Sequence, residues 1–274
     1  MIRQNIHTHT VFCDGKNTVE EMIQSAIGLG LDSLGFTGHA CFPFESCWAM
    51  KDGVPPLYYA EVQRQRERYG DQIDIFLGIE QDVFSDPPGE EYEYTIGSVH
   101  YVKKNGVYYS MDHSSDIFVQ GAKEGYDGDY MAMAEDYFAL VASVPERTNC
   151  QIVGHLDIIC KFNEGDRLFD TAHPRYVTAA MTAIEELAKK DVILEINTGA
   201  MSRGYRTAPY PAVPLLRAMR EKNIPICITS DTHSVSTILH AFPLASELAE
   251  SCGYRECMYL TKSGFISGPL PCKF

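Results

Sequence analysis

Ile2-Arg3-Gln4-Asn5-Ile6-His7-Thr8-His9 is a short strand-like run that ends in two histidines spaced i, i+2. On an extended backbone that spacing turns both imidazoles to one face, where they can grip one cation together. The carboxylate of Asp14, before Gly15, follows a few positions later. The same arrangement recurs down the chain. His39 closes Gly35-Phe36-Thr37-Gly38-His39, Glu80 closes Leu77-Gly78-Ile79-Glu80, and His100 closes Ile96-Gly97-Ser98-Val99-His100. His155 closes Ile152-Val153-Gly154-His155, with Asp157 two residues on, and Asn197 ends the next run. Asp231 and His233 end Ile228-Thr229-Ser230-Asp231-Thr232-His233. One histidine in such a place is more often a hydrogen-bonded structural residue than a ligand. Six of the nine histidines at strand ends, interleaved with carboxylates, make the donor set of a polynuclear metal site.

Working outward, strand-like runs over 2–6, 32–37, 73–79, 94–99, 150–154, 192–197 and 225–230 are rich in Ile, Val, Leu, Phe and Tyr. Helix-like segments lie between them, over 18–28, 55–69, 130–143, 174–190 and 211–222. Thr18 and Glu21 form a capping-box pair at the start of the first. Alternation of this kind predicts parallel strands with crossover helices. Seven strands predict a barrel with one unit fewer than the common eight. In parallel barrels the strand C-termini converge on one face, where every candidate ligand falls. The stretches 38–54 and 101–129 read as long loops, of the kind that serves as lids. His113, His173 and His240 fall in loop or helix contexts and read as structural or surface residues.

The 274 residues show no repeat or linker, so residues 1–274 are expected to form a single α/β domain with a sizeable core. The 45% apolar and 22% charged composition is that of a globular chain. A net charge of −14 argues against general nucleic-acid binding. No apolar stretch approaches the roughly 18–20 residues of a membrane span. No secretory pattern opens the chain, which points to the cytoplasm. The nine cysteines (13, 41, 47, 150, 160, 227, 252, 257 and 272) include no CxxC pair and read as reduced thiols.

As an ordered set, HTHTxFxDG, GFTGH, GIE, GSVH, GHLD and SDTH resemble the polymerase and histidinol phosphatase (PHP) superfamily of metal-dependent phosphoesterases, across His7 to His233. The resemblance implies a distorted (β/α)7 TIM-like barrel with three transition-metal ions, of zinc, manganese or iron. Carried over by motif, one ion would be held by His7, His9, Glu80 and Asp231. A second would be held by Asp14, His39 and His233, and a third by Glu80, His100 and His155, so that Glu80 bridges two. Some members carry histidine where this chain has Asp14. A carboxylate there belongs to the histidinol-phosphatase branch and favours harder ions.

The segments His39-Ala40-Cys41-Phe42-Pro43-Phe44 and Pro209-Tyr210-Pro211 are similar to that same branch. It implies a phosphomonoester hydrolase acting on histidinol phosphate in histidine biosynthesis, with metal-activated hydroxide attacking phosphorus in line. Lys161 and Arg203 match the two phosphate-binding cations, with Lys161 standing where the branch commonly has arginine. Arg206 is a possible substitute. Asp231 or His233 would supply the leaving-group proton. Phe42, Phe44 and Trp48 form either a stacking surface for an imidazole-bearing substrate or a small lid core. A phosphodiesterase, or a phosphatase of another small metabolite or nucleotide, is the alternative within the superfamily. An amidohydrolase also uses HxH on a barrel, but no lysine stands where that class needs a carboxylated one. The oligomeric state is open.

Overall fold

The structure, a computed structural model, describes residues 2–44, 46–89 and 92–271; Cys272 lies outside them. The strands are β1 (Gln4–Asn5), β2 (Ser33–Phe36), β3 (Asp74–Asp82), β4 (Tyr94–Ser98), β5 (Tyr101–Lys104), β6 (Val107–Ser110), β7 (Ile152–Val153), β8 (Ile193–Asn197), β9 (Ile226–Thr229), β10 (Glu256–Thr261) and β11 (Gly264–Pro269). The helices are α1 (Val19–Gly28), α2 (Pro55–Tyr69), α3 (Ser115–Tyr126), α4 (Tyr130–Thr148), α5 (Pro174–Leu187), α6 (Gly199–Ser202), α7 (Val213–Glu221) and α8 (Phe242–Ser251).

Seven strands pair in the order β1-β2-β3-β4-β7-β8-β9, all parallel. The register runs Gln4 to Ser33, Ser33 to Asp74, Glu80 to Ile96, Ile96 to Ile152, Ile152 to Ile193 and Leu194 to Ile226. A parallel bridge between Thr8 and Thr232 closes the ring. There His9 N–H donates to the Thr232 carbonyl at 2.8 Å and Thr232 N–H donates to the His7 carbonyl at 3.1 Å. The closing contact is therefore made by the residues that flank the ligands. This is a distorted seven-stranded TIM-like barrel, as the alternation of strand and helix predicts.

Its interior is a small apolar cluster of Ile6, Phe76, Tyr94, Ile96, Ile152, Ile193 and Cys227, joined by Leu260 of the β10–β11 hairpin. Gln4 ties that hairpin to β1: its side-chain amide donates to the Leu260 carbonyl at 2.7 Å and accepts from Leu260 N–H at 2.9 Å. The opposite end of the barrel is polar, and strand periodicity explains why. On β3, Phe76, Gly78 and Glu80 share one face; on β4 and just beyond it, so do Tyr94, Ile96, Ser98 and His100. Both strands carry apolar residues into the barrel and deliver a candidate ligand at or just beyond the C-terminal end.

The helices cover the outside. Thr18 closes the expected capping box on α1, whose Met22, Ile23 and Ala26 face the strands. The other helix-like segments are present with shifted ends. α4 continues through Pro145 to Thr148, and α7 begins at Val213, with Pro214 rather than Pro211 in its first turn. Residues 101–129 differ from expectation: they hold the β5–β6 hairpin and α3 rather than one long loop. Asn105 and Gly106 both adopt positive φ, 52° and 84°, which is the turn that a two-residue Asn-Gly hairpin needs. Ser114 then caps α3 by accepting from Ile117 N–H. Among the described residues no helix is long and apolar enough to cross a membrane.

Tyr94 is the tightest joint of the interior. Its hydroxyl donates to the Ile6 carbonyl at 2.8 Å, and a Cβ added at Gly35 would lie 2.2 Å from that hydroxyl oxygen. Gly35→Ala is therefore expected to destabilise the fold by about 1–3 kcal/mol, the usual cost of overpacking. Urea unfolding measures this, and adding Tyr94→Phe should restore part of the loss. An unchanged midpoint would show that Tyr94 can move aside.

Candidate metal centre

Glu80 stands at the middle of the polar end and is 1% exposed. Its Oε2 lies 2.8 Å from His39 Nδ1, 3.3 Å from His7 Nε2 and 3.5 Å from His9 Nε2. Its Oε1 lies 2.9 Å from His155 Nε2 and 3.3 Å from His100 Nε2, and accepts from the Ser98 hydroxyl at 2.6 Å. Asp231 Oδ1 sits 3.2 Å from His9 Nε2 and 3.8 Å from His7 Nε2. Asp14 Oδ1 sits 3.1 Å from His233 Nε2 and 3.7 Å from His39 Nε2. All nine predicted ligands thus converge on one chamber.

Three groups within it have donor atoms close enough to share an ion: His9, Asp14, His39 and His233; His7, His9 and Glu80; and His39, Glu80 and His100. His7 Nε2, His9 Nε2 and Glu80 Oε2 are buried and make no hydrogen bond. Buried polar atoms rarely go unpaired, and nitrogen and carboxylate donors are what a first-row divalent ion takes. The residues present therefore fit metal ions. Burial opposes charge on Glu80, but His39, His7 and His100 outweigh it and hold its carboxyl well below the usual range. For His7 burial likewise opposes charge, and Glu195, Glu80 and Asp231 together raise it above the usual histidine range. Burial and the neighbouring His233 and His39 lower His9 to about 3, so it is neutral.

Glu195, on β8, is a residue that strand-end reading misses. It is fully buried, and four donors converge on it. His7 Nδ1 and the Thr229 hydroxyl each lie 2.5 Å from Oε1; His155 N–H and the Asn197 side-chain amide each donate to Oε2 at 2.8 Å. A carboxylate is the only side chain that accepts all four. It keeps the proton of His7 on Nδ1 and turns Nε2 toward Glu80, as the partner of a metal-ligating histidine does. The signal in the sequence was a charged residue inside the apolar run Ile193-Leu194-Glu195-Ile196. Asp82 serves His100 in the same way, at 3.1 Å from Nδ1 and accepting from its backbone N–H at 2.6 Å. Asn197 acts through Glu195, whereas Asp157 accepts from Ala212 N–H at 3.0 Å and anchors the approach to α7.

Beside the chamber opens a cavity of 390 Å³, lined among others by Trp48, Asp112, His113, Lys161, Arg203 and His233. Arg203 Nη2 donates to Asp231 Oδ2 at 3.1 Å, and Arg203 Nη1 lies 3.0 Å from His233 Nδ1. Asp231 has φ of 45°, a left-handed conformation that aspartate tolerates better than most residues. Lys161 reaches the cavity with Nζ donated to the Asp112 carbonyl at 2.7 Å.

Two expected substrate-binding residues lie elsewhere. Arg206 is not among the lining residues: it pairs with Glu164 at 2.9 Å and donates to the Cys160 carbonyl at 2.7 Å, because the turn after α6 carries it toward the 158–166 segment. Phe42 is not at the cavity either. It packs against Phe44, Trp48 and Tyr101 at centroid distances of 4.8, 5.1 and 5.4 Å, so it belongs to a lid core. His113 is exposed, in keeping with a surface residue, and borders the cavity at the foot of the β5–β6 hairpin. His173 caps α5, accepting from Arg175 N–H.

Two measurements check this chamber. Glu195→Gln puts a donor where donors already converge, so zinc affinity by chelator competition should fall about 10–100-fold with the circular dichroism unchanged. Unaltered affinity would remove Glu195 from this role. Because the metal-free protein holds His7 protonated above the usual range and a ligand nitrogen must be bare, zinc uptake should release protons and weaken as pH falls. Calorimetry in buffers of different ionisation enthalpy reads that release; zinc uptake without it would mean a neutral His7.

A PHP domain model matches residues 5–199. The chain is 30% identical over 263 residues to a Deinococcus radiodurans protein named "Probable histidinol-phosphatase", covering 91% of this chain and 93% of that one. It is 27% identical over 272 residues to the histidinol-phosphatase of Bacillus subtilis, covering 88% and 97%. Its fold is similar to that of the Lactococcus lactis histidinol phosphate phosphatase, solved with zinc, L-histidinol and phosphate. That match has a TM-score of 0.69, 19% identity, and coverage of 96% and 98%. With its barrel, its ring of ligand residues around Glu80 and these matches, the chain belongs to the PHP domain family.

Proposed function

We propose that this chain is a metal-dependent histidinol-phosphate phosphatase, a hydrolase of phosphoric monoesters. The observation that carries the reading is the adjacency of two features: eight candidate ligand residues gathered around Glu80, and a cationic wall of Arg203 and Lys161 opening directly onto them. Relatives that align over most of both chains bear the histidinol-phosphatase name, which supports the choice of substrate.

His7, His9, Asp14, His39, Glu80, His100, His155, Asp231 and His233 would hold the ions, three by the motif and zinc, manganese or iron by the donor chemistry. When bound, such ions make water nucleophilic near neutral pH and draw charge from the phosphoryl oxygens. The chain's own groups do the rest. Arg203, fixed by Asp231, presents its guanidinium to the phosphate, and Lys161 adds a point charge. Burial opposes ionisation of Asp231, yet Arg203 and His7 hold it well below the usual carboxylate range, so it enters the reaction as an acceptor. Its carboxylate relays the proton of the attacking water to the leaving alkoxide oxygen, with His233 beside it as the alternative donor. Trp48 walls the cavity and packs edge-on against His39 at 4.4 Å, which sets an aromatic side chain beside the place the imidazole of the substrate would take.

Histidinol phosphate should be cleaved far faster than bis-(p-nitrophenyl) phosphate, and chelation should abolish both activities. A preference for the diester would favour a phosphodiesterase instead. Arg203→Ala is expected to raise KM for the monoester by about tenfold or more, the scale of one charge-assisted hydrogen bond. An unchanged KM would take Arg203 out of the phosphate site.

A further inference from the structure

Four carboxylates line the cavity: Asp14, Glu80, Asp231 and Asp112. The first three belong to the candidate ligand set and Asp112 does not. It follows the β5–β6 hairpin, on a turn where its own N–H and that of His113 reach the Ser110 hydroxyl at 3.4 and 3.2 Å. Its carboxylate is poorly satisfied. Oδ2 has one long contact, 3.3 Å from Lys161 Nζ, and Oδ1 is buried with no hydrogen-bond partner. The well-formed bond of Lys161 goes instead to the Asp112 backbone carbonyl, at 2.7 Å. Holding Lys161 therefore needs the main chain of residue 112 and leaves the acid group over. An ionised carboxylate in a partly buried wall calls for donors it does not have here.

We propose that Asp112 is the recognition residue for a positively charged nitrogen on the alcohol half of the substrate. The site would then select phosphate monoesters of amino alcohols over esters of neutral alcohols of the same shape. Its reach fits that role. The side chain is 19% exposed, and the cavity it borders also contains Arg203 and Lys161, so one chamber offers cations to the phosphate and an anion to the leaving group. Trp48 and His113 border the same space. The inference rests on the phosphatase reading and names the part of the substrate that this wall reads.

The test compares two esters on the metal-loaded enzyme: histidinol phosphate, and 3-(imidazol-4-yl)propyl phosphate, which lacks only the amino group. Asp112→Asn keeps the size of the side chain and the carbonyl that holds Lys161. It should lower kcat/KM for histidinol phosphate about tenfold or more, as expected for losing a charge-assisted bond, and leave the deamino ester unchanged. Competitive inhibition by L-histidinol should weaken in parallel, a readout that does not depend on turnover. Equal loss on both esters would assign Asp112 to placing Lys161 and overturn the proposal. No loss on either ester would overturn it too. If the unsubstituted enzyme cleaves p-nitrophenyl phosphate but neither imidazole ester, the substrate reading itself fails and takes the inference with it. That failure shows before any variant is made.

Discussion

A buried carboxylate ringed by five imidazoles is the constraint on which the polar end of this barrel depends. Glu80 has His7, His9 and His39 against one oxygen and His100 and His155 against the other, all within 3.5 Å. It is almost fully buried, so its charge must be met by protons or by metal ions. Without metal, His7 and Glu80 form an ion pair, with His7 raised and Glu80 lowered from their ordinary ranges. Metal-filled, the same atoms become ligands. The two states compete for the same lone pairs, so assembly of the centre and the pH of the medium are linked.

The ring would not hold its shape without the groups behind it. Glu195 gathers His7, the backbone of His155, Asn197 and Thr229, and so fastens the ends of β7, β8 and β9 to the loop that follows β1. Asp82 fixes His100 from its own side, and the Thr8–Thr232 bridge closes the seam between first and last barrel strands. Barrel closure and ligand geometry are thus one network. Loosening a buttress should move donor atoms before it unfolds the chain, because the apolar cluster around Tyr94 lies below the polar layer.

The candidate ligands are legible in the sequence because most of them stand at the end of a β-branched or apolar run, where an imidazole or carboxylate has no packing role. The parallel order of the strands followed from the helices between them. What is less legible lies where two patterns overlap. Glu195 sits one inward-facing position below the strand end, so the rule of looking at ends passes over it. The β5–β6 hairpin carries an Asn105-Gly106 turn between aromatic and β-branched residues, a legible signal masked by the length of the 101–129 stretch around it. Whether Phe42 stacks on a substrate or on Phe44 was beyond composition. Only packing decides it, and so does the direction in which α6 sends Arg203 and Arg206 apart.

That packing also ties recognition to the metal centre. Phe42, Phe44, Tyr101 and Tyr108 interlock the 41–50 loop with the hairpin, Phe44 stacking on Tyr108 at 4.3 Å and the Trp48 indole N–H donating to Tyr101 at 3.2 Å. Trp48 in turn rests on His39 and His100, at 4.4 and 5.0 Å. The hairpin leads at its foot into Asp112 and so into Lys161. One aromatic cluster therefore sets the wall that would meet the alcohol half of an ester and braces two of the rings that would hold ions. A change that opened this lid would disturb both at once. Selectivity and metal retention should drift together in variants of the aromatic cluster, whereas in a centre walled by independent loops they would separate.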